Sequence, residues 1–508
     1  MAWNRHARLS SVTLALLVGA PLASGCSSDS SSLGRLTDEV TIVPLTARAN
    51  PNDPRNPTRL DDQLGYLADG FGDYELGPGE AHQTILFGGA MRPADGPSPR
   101  RLARFAHMPD LQLADDEAVT RVVLIDAPGI SSSASRPQDT YGCHMVNAMV
   151  RTLNAVHAED ELDFVLLGGD NIDNAQTNEL EWLLQLLGGG GNIECDSGED
   201  NDPVPGPGND SKDPFMSVGL DVPYYWVMGN HDVLIQGNFR VTDDWKQTSI
   251  GGYAATRTRD WSRPGGPAAN NVPPDPNRLA LTAAELLERV VEDDDGHGLA
   301  TEQVVAERAF YTFDVPNTPI RFVIIDTTAA TSGADGLLTD ADRTRLIAAL
   351  DQAQADEKWV MLASHHAAGS LTSTGGAFGT VDDPTAITTA EFTDIVTSYD
   401  NVLFSFVGHS HRHRIAPLEG NGRTVVEVMT AAVADFPHQS RIVEIWDMDN
   451  GWVMLRGTAV NFVSDGDSLA EEARRLGIVD YTSGWADANE SVSTDRNVEI
   501  FLPAPGTP

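Results

Sequence analysis

Cysteine is almost missing from this chain of 508 residues, which has three, at positions 26, 143 and 195. That scarcity excludes a small scaffold held by many disulfides and argues against a thiolate-rich metal site. Basic residues are also few: Lys and Arg number 34 against 74 Asp and Glu, for a formal charge of −40. Such a surface repels phosphate backbones and anionic lipid, so no nucleic acid partner is expected. Past the N-terminus there is no apolar run long enough to span a bilayer, and no internal repeat is visible. What the chain does have is enough Val, Ile, Leu and aromatic residues for a large core.

The N-terminus carries an export pattern. Arg5 and Arg8 precede a short apolar stretch, Val12 to Leu22, followed by Ala23-Ser24-Gly25-Cys26. Small residues directly before a cysteine resemble a bacterial lipobox, which predicts a signal over 1–26 and a lipid on Cys26. A plain cleavable signal is the alternative. The expected location is therefore the cell envelope, as a periplasmic or outer-membrane lipoprotein. The Ser-rich stretch after Cys26 reads as a tether, and residues 27–100 as tether plus an extended N-terminal arm. Cys143 and Cys195 then remain as a candidate disulfide, with two free thiols as the alternative.

Several strand patterns run straight into polar clusters. Arg101 to His107 reads as a strand leading to Asp110; Val122 to Ile125, ending on Asp126, competes for the same role. A helix follows over 139–157, where Met145, Met149 and Leu153 recur at helical spacing. Asp163 to Gly169 is a buried-type strand ending on Asp170, and the next helix carries Leu180, Leu183 and Leu187. Residues 188–213 are rich in Gly, Asp and Pro and read as a solvated surface insertion without EF-hand spacing. The strand Tyr224 to Met228 stops on Gly229-Asn230-His231-Asp232. Strands 359–364 and 401–407 stop on His365-His366 and Gly408-His409-Ser410-His411. Val425–Met429, Arg441–Trp446 and Trp452–Val460 read as antiparallel strands closing a second sheet. Open α/β sheets place their sites at the carboxyl ends of strands, so these clusters can converge. Carboxylate, amide and imidazole together suit Mn, Fe or Zn. A carboxylate shared by two ions ~3.5–4 Å apart activates water and clamps a phosphoryl group. Taken singly, Asp170 and Asp173 read equally well as helix caps, and the histidines as hydrogen-bonded core residues.

Gly169-Asp170-x-x-Asp173, Gly229-Asn230-His231-Asp232, His365 and Gly408-His409-x-His411, in this order, resemble the calcineurin-like metallophosphoesterase family. Asp110-x-Gln112-x-x-Asp115, Arg136-Pro-Gln138, the run from Asp435 to Arg441 and the tail Asp495 to Val498 resemble a bacterial exported branch of it. The resemblance implies a four-layer α/β/β/α sandwich of two mixed sheets; the domain reading is 101–465 for this fold and 466–508 for a C-terminal extension. It implies two divalent ions (Mn, Fe or Zn), with Asp170 bridging them. Asn230, His365 and His409 would complete one site, and Asp110 and His411 the other. That family usually has Asp-x-His at its first motif; here Gln112 stands in the place of the His and would ligate through its neutral carbonyl oxygen, whereas Asp126-x-Pro128 would lose that second ligand outright, because proline has no side-chain donor. His231 would protonate the leaving oxygen, with Asp232 holding its ring. Asp173 would support the ligands from behind, Asn174 would help position substrate, and His366 and His413 would be bystanders. The implied reaction is in-line attack of metal-bound hydroxide on a small phosphate ester, monoester or diester. The competing functional class is a surface lipoprotein that keeps the fold, binds a ligand and has lost turnover.

Overall fold

Apolar runs such as 164–167, 320–325, 359–364 and 402–407 have no polar face to turn to water, so each must be covered on both sides. In the computed structural model, which describes residues 35–46, 53–129, 131–261, 266–329, 331–486 and 495–506, these runs lie inside two mixed sheets. The strands, in chain order, are β1 (Gln83–Ile85), β2 (Arg100–Met108), β3 (Phe164–Leu167), β4 (Tyr224–Trp226), β5 (Tyr311–Asp314), β6 (Ile320–Ile325), β7 (Trp359–Ser364), β8 (Val402–Val407), β9 (Arg414–Gly420), β10 (Arg423–Met429), β11 (Gln439–Asp447), β12 (Trp452–Asn461) and β13 (Val498–Pro503). The helices that cover them include α1 (Gly142–Glu159), α2 (Thr177–Gly188), α3 (Ala283–Glu292), α4 (Asp340–Ala355), α5 (Thr389–Thr397) and α6 (Ser468–Ser483).

One sheet has the order β1-β13-β12-β11-β2-β3-β4, the other β5-β6-β7-β8-β10-β9. Strands β2, β3 and β4 are parallel, as are β6, β7, β8 and β10. Within each parallel set the carboxyl ends therefore leave the sheet on one side. The sheets meet face to face through aromatic side chains: Phe105 lies 5.4 Å from Phe322 and 5.2 Å from Phe406, ring centre to ring centre. Leu153 of α1 and Leu183 of α2 join that core from one side. Leu346 of α4 and Phe392 of α5 cover the second sheet from the other. The layering is α/β/β/α, as the motif resemblance implied.

Four sequence expectations need correction. Residues 122–125 form no strand: Val123–Ile125 is a single 3-10 turn in which Leu124 and Ile125 are 63% and 52% exposed. Strands β11 and β12 belong to the first sheet, because β11 pairs antiparallel with the open side of β2; β10 does lie in the second sheet but runs parallel to β8. The N-terminal arm is not extended throughout, since Val40–Pro44 pairs with Tyr74–Pro78 and Leu60–Ala68 is helical. The C-terminal segment is not an appendage, as β13 pairs with β12. The described residues, from Arg35 onward, make one compact unit. The signal segment, Cys26 and the serine tether lie outside the described residues. Among the described residues no helix is long and apolar enough to cross a membrane.

The insertion 188–213 lies at the surface, as expected, with many exposed residues, but it is also tied to the body. Cys195 is disulfide-bonded to Cys143 of α1, with the Cα atoms 6.5 Å apart. The Lys212 ammonium is buried 2.9 Å from Asp116 and 3.4 Å from Asp196. Replacing both cysteines by serine is expected to lower the unfolding free energy by about 2–5 kcal/mol, since the bridge closes a long loop of the unfolded chain. A denaturant midpoint that is the same for the oxidised protein and the double variant would contradict this.

Candidate metal centre

Five strands end on the same pocket: Asp110 follows β2, Asp170 follows β3, Asn230 follows β4, His365 follows β7, and His409 and His411 follow β8. Ligand atoms of Asp110, Asp170 and His365 all lie within 4.8 Å of one another. His365 Nε2 is 3.0 Å from Asp170 Oδ2 and 3.8 Å from Asp110 Oδ1. His411 Nε2 is 3.4 Å from Asp110 Oδ1. The His409 ring centre is 5.2 Å from that of His365, and the His409 N–H donates to both Asp110 oxygens. The backbone is bent hard to bring these groups together. Asp110, Gln112, Asp170, His409 and His411 all have left-handed φ, between 38° and 71°, a conformation that non-glycine residues adopt at a cost and that clusters at functional sites. Gly229 is required by crowding, since a Cβ there would come 2.1 Å from Asp170 N and 2.2 Å from its Oδ1.

The donor atoms are set for a cation. Asn230 Nδ2 donates to the Gly237 carbonyl at 3.0 Å, which leaves its Oδ1 free. His365 Nδ1 meets the Gly168 carbonyl at 3.0 Å; a carbonyl only accepts, so Nδ1 carries the hydrogen and Nε2 is bare in the neutral ring. Both Asn230 Oδ1 and His365 Nε2 are buried without a hydrogen-bond partner among the described residues. The approach of His365 Nε2 to Asp170 is close enough for an ion pair but off the line of a hydrogen bond. Buried oxygen and nitrogen lone pairs beside a carboxylate fit a divalent ion. The electrostatics agree. Burial alone would depress His365, yet Asp170 outweighs it and raises the imidazole pKa to about 9. Burial likewise opposes ionisation of Asp170, but His365 and His231 hold it below the usual carboxylate range. The pocket thus concentrates negative charge where a cation would sit.

Around the ligands runs a buried chain of alternating charges. His231 Nδ1 meets the Asp173 carbonyl at 2.7 Å and its carboxylate at 3.3 Å. Arg121 lies between Asp173 (3.1 Å) and Asp139 (2.5 Å). Asp139 accepts the Arg136 backbone N–H at 2.7 Å, Arg136 pairs with Asp435 at 2.5 Å, and Asp435 holds His411 Nδ1 at 2.5 Å. This corrects three roles. Asp232 does not touch the His231 ring: it accepts the N–H groups of Gly229, Asn171 and Ile172 and braces the turn, while Asp173 orients His231. Asn174 does not face the cleft, because Thr120 and the Gln236 N–H occupy its side chain. Gln112 does not offer its oxygen to the pocket, because Arg136 Nη2 donates to Oε1 at 2.5 Å. Arg136 and Asp435 had shown themselves in the sequence only as parts of longer runs. Orienting partners of this kind typically change metal affinity ~10–100-fold when mutated. Asp435→Asn is expected to weaken the ion beside His411 by that factor, measured by Mn²⁺ titration, with folding kept; an unchanged affinity would remove Asp435 from the centre.

The remaining candidates are accounted for. His366 is committed to Thr327 and the Ala334 carbonyl, and His413 to Gln439 and Arg441. Asp126 lies outside the pocket, bonded to Thr58. Carboxylates of Asp202, Asp210 and Asp213 also come within 4.8 Å of one another, but Asp210 and Asp213 spend oxygens on N–H groups of their own loop.

Comparison with known proteins adds an independent finding. The family model described as calcineurin-like phosphoesterase matches residues 103–413. A search of curated proteins finds no match. Among solved structures, the chain is similar to a dimetal phosphatase from Danio rerio, at 12% identity and a TM-score of 0.38, covering 72% of this chain and 100% of that one. It is also similar to a purple acid phosphatase from yellow lupin (Lupinus luteus) seeds, at 14% identity and a TM-score of 0.32, covering 70% of this chain and 51% of that one.

Proposed function

Because the chain belongs to the calcineurin-like phosphoesterase family, we propose that it hydrolyses a small phosphoric ester at the pocket between Asp110, Asp170, Asn230, His365, His409 and His411. One observation carries this reading: His365 Nε2, buried without a hydrogen-bond partner among the described residues, lies 3.0 Å from Asp170, and Asn230 Oδ1 is likewise buried and unpartnered, bare donors that have no purpose in an apolar core. Asp170 would be shared, with Asn230, His365 and His409 holding one divalent ion and Asp110 and His411 a second. Ions bound there supply Lewis acidity, lowering the pKa of water and neutralising phosphoryl charge.

The protein groups do the rest. His231, whose side chain is 12% exposed, stands at the mouth of the pocket with Nδ1–H held by Asp173. Its Nε2 is the atom left to give a proton to the departing oxygen. Gly237 packs against that edge of the ring, where a Cβ would come 2.4 Å from Nε2; any side chain at 237 would block the path. The chain's charge of −40 favours small substrates whose charge the ions offset over a long polyanion. Export and lipid attachment through Cys26 belong to the same proposal and are tested by fractionation of cells producing wild type and Cys26→Ala.

The functional test is hydrolysis of p-nitrophenyl phosphate and bis(p-nitrophenyl) phosphate by purified protein with Mn²⁺, Zn²⁺ or Fe²⁺. Ester cleavage that requires one of these ions is the expected result. No cleavage of either ester with any ion would favour a ligand-binding protein on the same fold.

A further inference from the structure

Gln112 projects toward the two-ion pocket, yet its orientation is fixed from outside it. Arg136 has only donors, so the atom it contacts on Gln112 at 2.5 Å is the carbonyl oxygen. That leaves the amide nitrogen toward the pocket, 3.4 Å from Asp170 Oδ2. An amide NH₂ has no lone pair to give a metal and turns partial positive charge toward it. Swinging the amide by a half-turn would oppose its NH₂ to the guanidinium, two donors face to face, at a residue 5% exposed. Arg136 cannot yield, being fully buried and anchored through Nε to Asp435.

Resting on the two-ion reading above, we propose that the two ion positions are unequal by construction. The position formed by Asp110, Asp170 and His411 is a weak, exchangeable site, because Arg136 keeps the Gln112 oxygen out of it. The position formed by Asp170, Asn230, His365 and His409 has four protein donors and keeps its ion. The first position has three, with a hydrogen-bond donor where a fourth ligand could stand. Arg136 is thus a positioning residue, acting on metal loading through Gln112. A centre built this way is half-loaded when ions are scarce and completes itself only when the surroundings supply them.

The test is direct metal counting on the full chain. Wild type, Gln112→His and the isosteric Gln112→Glu are loaded with Mn²⁺, desalted, and examined by elemental analysis, titration and electron paramagnetic resonance. Wild type is expected to keep one Mn²⁺ per chain, with a mononuclear signal, and to bind the second at least ~10–100-fold more weakly. Gln112→Glu places an oxygen on both sides, so Arg136 stays paired and the pocket gains a ligand. That variant is expected to keep two Mn²⁺ and show an exchange-coupled signal, and its melting temperature should depend more steeply on Mn²⁺. Gln112→His is expected to keep two as well. Wild type keeping two ions while cleaving esters would overturn the unequal-site proposal and leave the phosphoesterase reading standing. Wild type keeping none and cleaving nothing would overturn both.

Discussion

Asp170→Asn will fold as the wild type does, lose bound metal and lose turnover. One Asp170 oxygen accepts the His231 backbone N–H at 2.8 Å; the other faces His365 Nε2 at 3.0 Å and the Gln112 amide at 3.4 Å. It is therefore the carboxylate common to both halves of the donor set. Asparagine preserves its size, so the crowded contact with Gly229 survives. Asparagine also removes the charge that both ions would share, and it can present only one acceptor oxygen. The turnover loss should be at least the roughly 10²–10³-fold seen on deleting one preorganised charge-stabilising group. Metal analysis, far-ultraviolet circular dichroism and ester hydrolysis on the same preparation separate the possibilities. An Asp170→Asn protein that retains its ions and cleaves within about tenfold of wild type would place the reaction elsewhere.

The strand ends were legible because backbone pattern and ligand chemistry coincide there. A buried run can end only at the sheet margin, and Asp170, Asn230, His365 and His409 are polar residues that close such runs. The same logic misplaced β11 and β12, since alternation along a strand does not say which sheet has an open edge for it; β2 did. It also misread Val122 to Ile125, whose apolar composition suits a strand but which folds into a 3-10 turn and pairs with no strand among the described residues. The supporting residues were harder to see for a different reason. Asp435 reaches His411 and Arg136 across 24 and 299 positions, and no local spacing encodes such contacts. The exchange of roles between Asp232 and Asp173 is of this kind. Adjacency to His231 suggested Asp232, but the short helix Asn230–Val233 turns Asp232 back onto the Gly229 and Asn171 N–H groups. Gln112 shows the limit most clearly: its residue type allows either end to face the pocket, and only the distant Arg136 decides.

His231→Ala should keep the metal and lose the chemistry, which is the reverse pairing to Asp170→Asn. The ring's hydrogen-bond partner among the described residues is Asp173, through the carbonyl at 2.7 Å and the carboxylate at 3.3 Å, and its influence on Asp170 is electrostatic. With Nδ1–H fixed in this way, the protonated ring has one remaining hydrogen, on Nε2, at the solvent side of the pocket. Giving that proton to the departing oxygen returns the ring to the neutral Nδ1–H tautomer that Asp173 favours, so the proton balance closes without rearrangement. General acid catalysis contributes typically ~10²–10⁴-fold, and it matters most when the leaving oxygen is a poor one. The variant should therefore lose about that factor on an alkyl phosphate ester and far less on p-nitrophenyl esters, whose leaving group departs as the anion. Asp173→Asn should show the same contrast in weaker form, since the carbonyl still holds Nδ1–H. Equal losses on both substrate types, or loss of bound Mn²⁺ from His231→Ala, would assign the ring to binding the metal or the phosphate instead of to proton transfer.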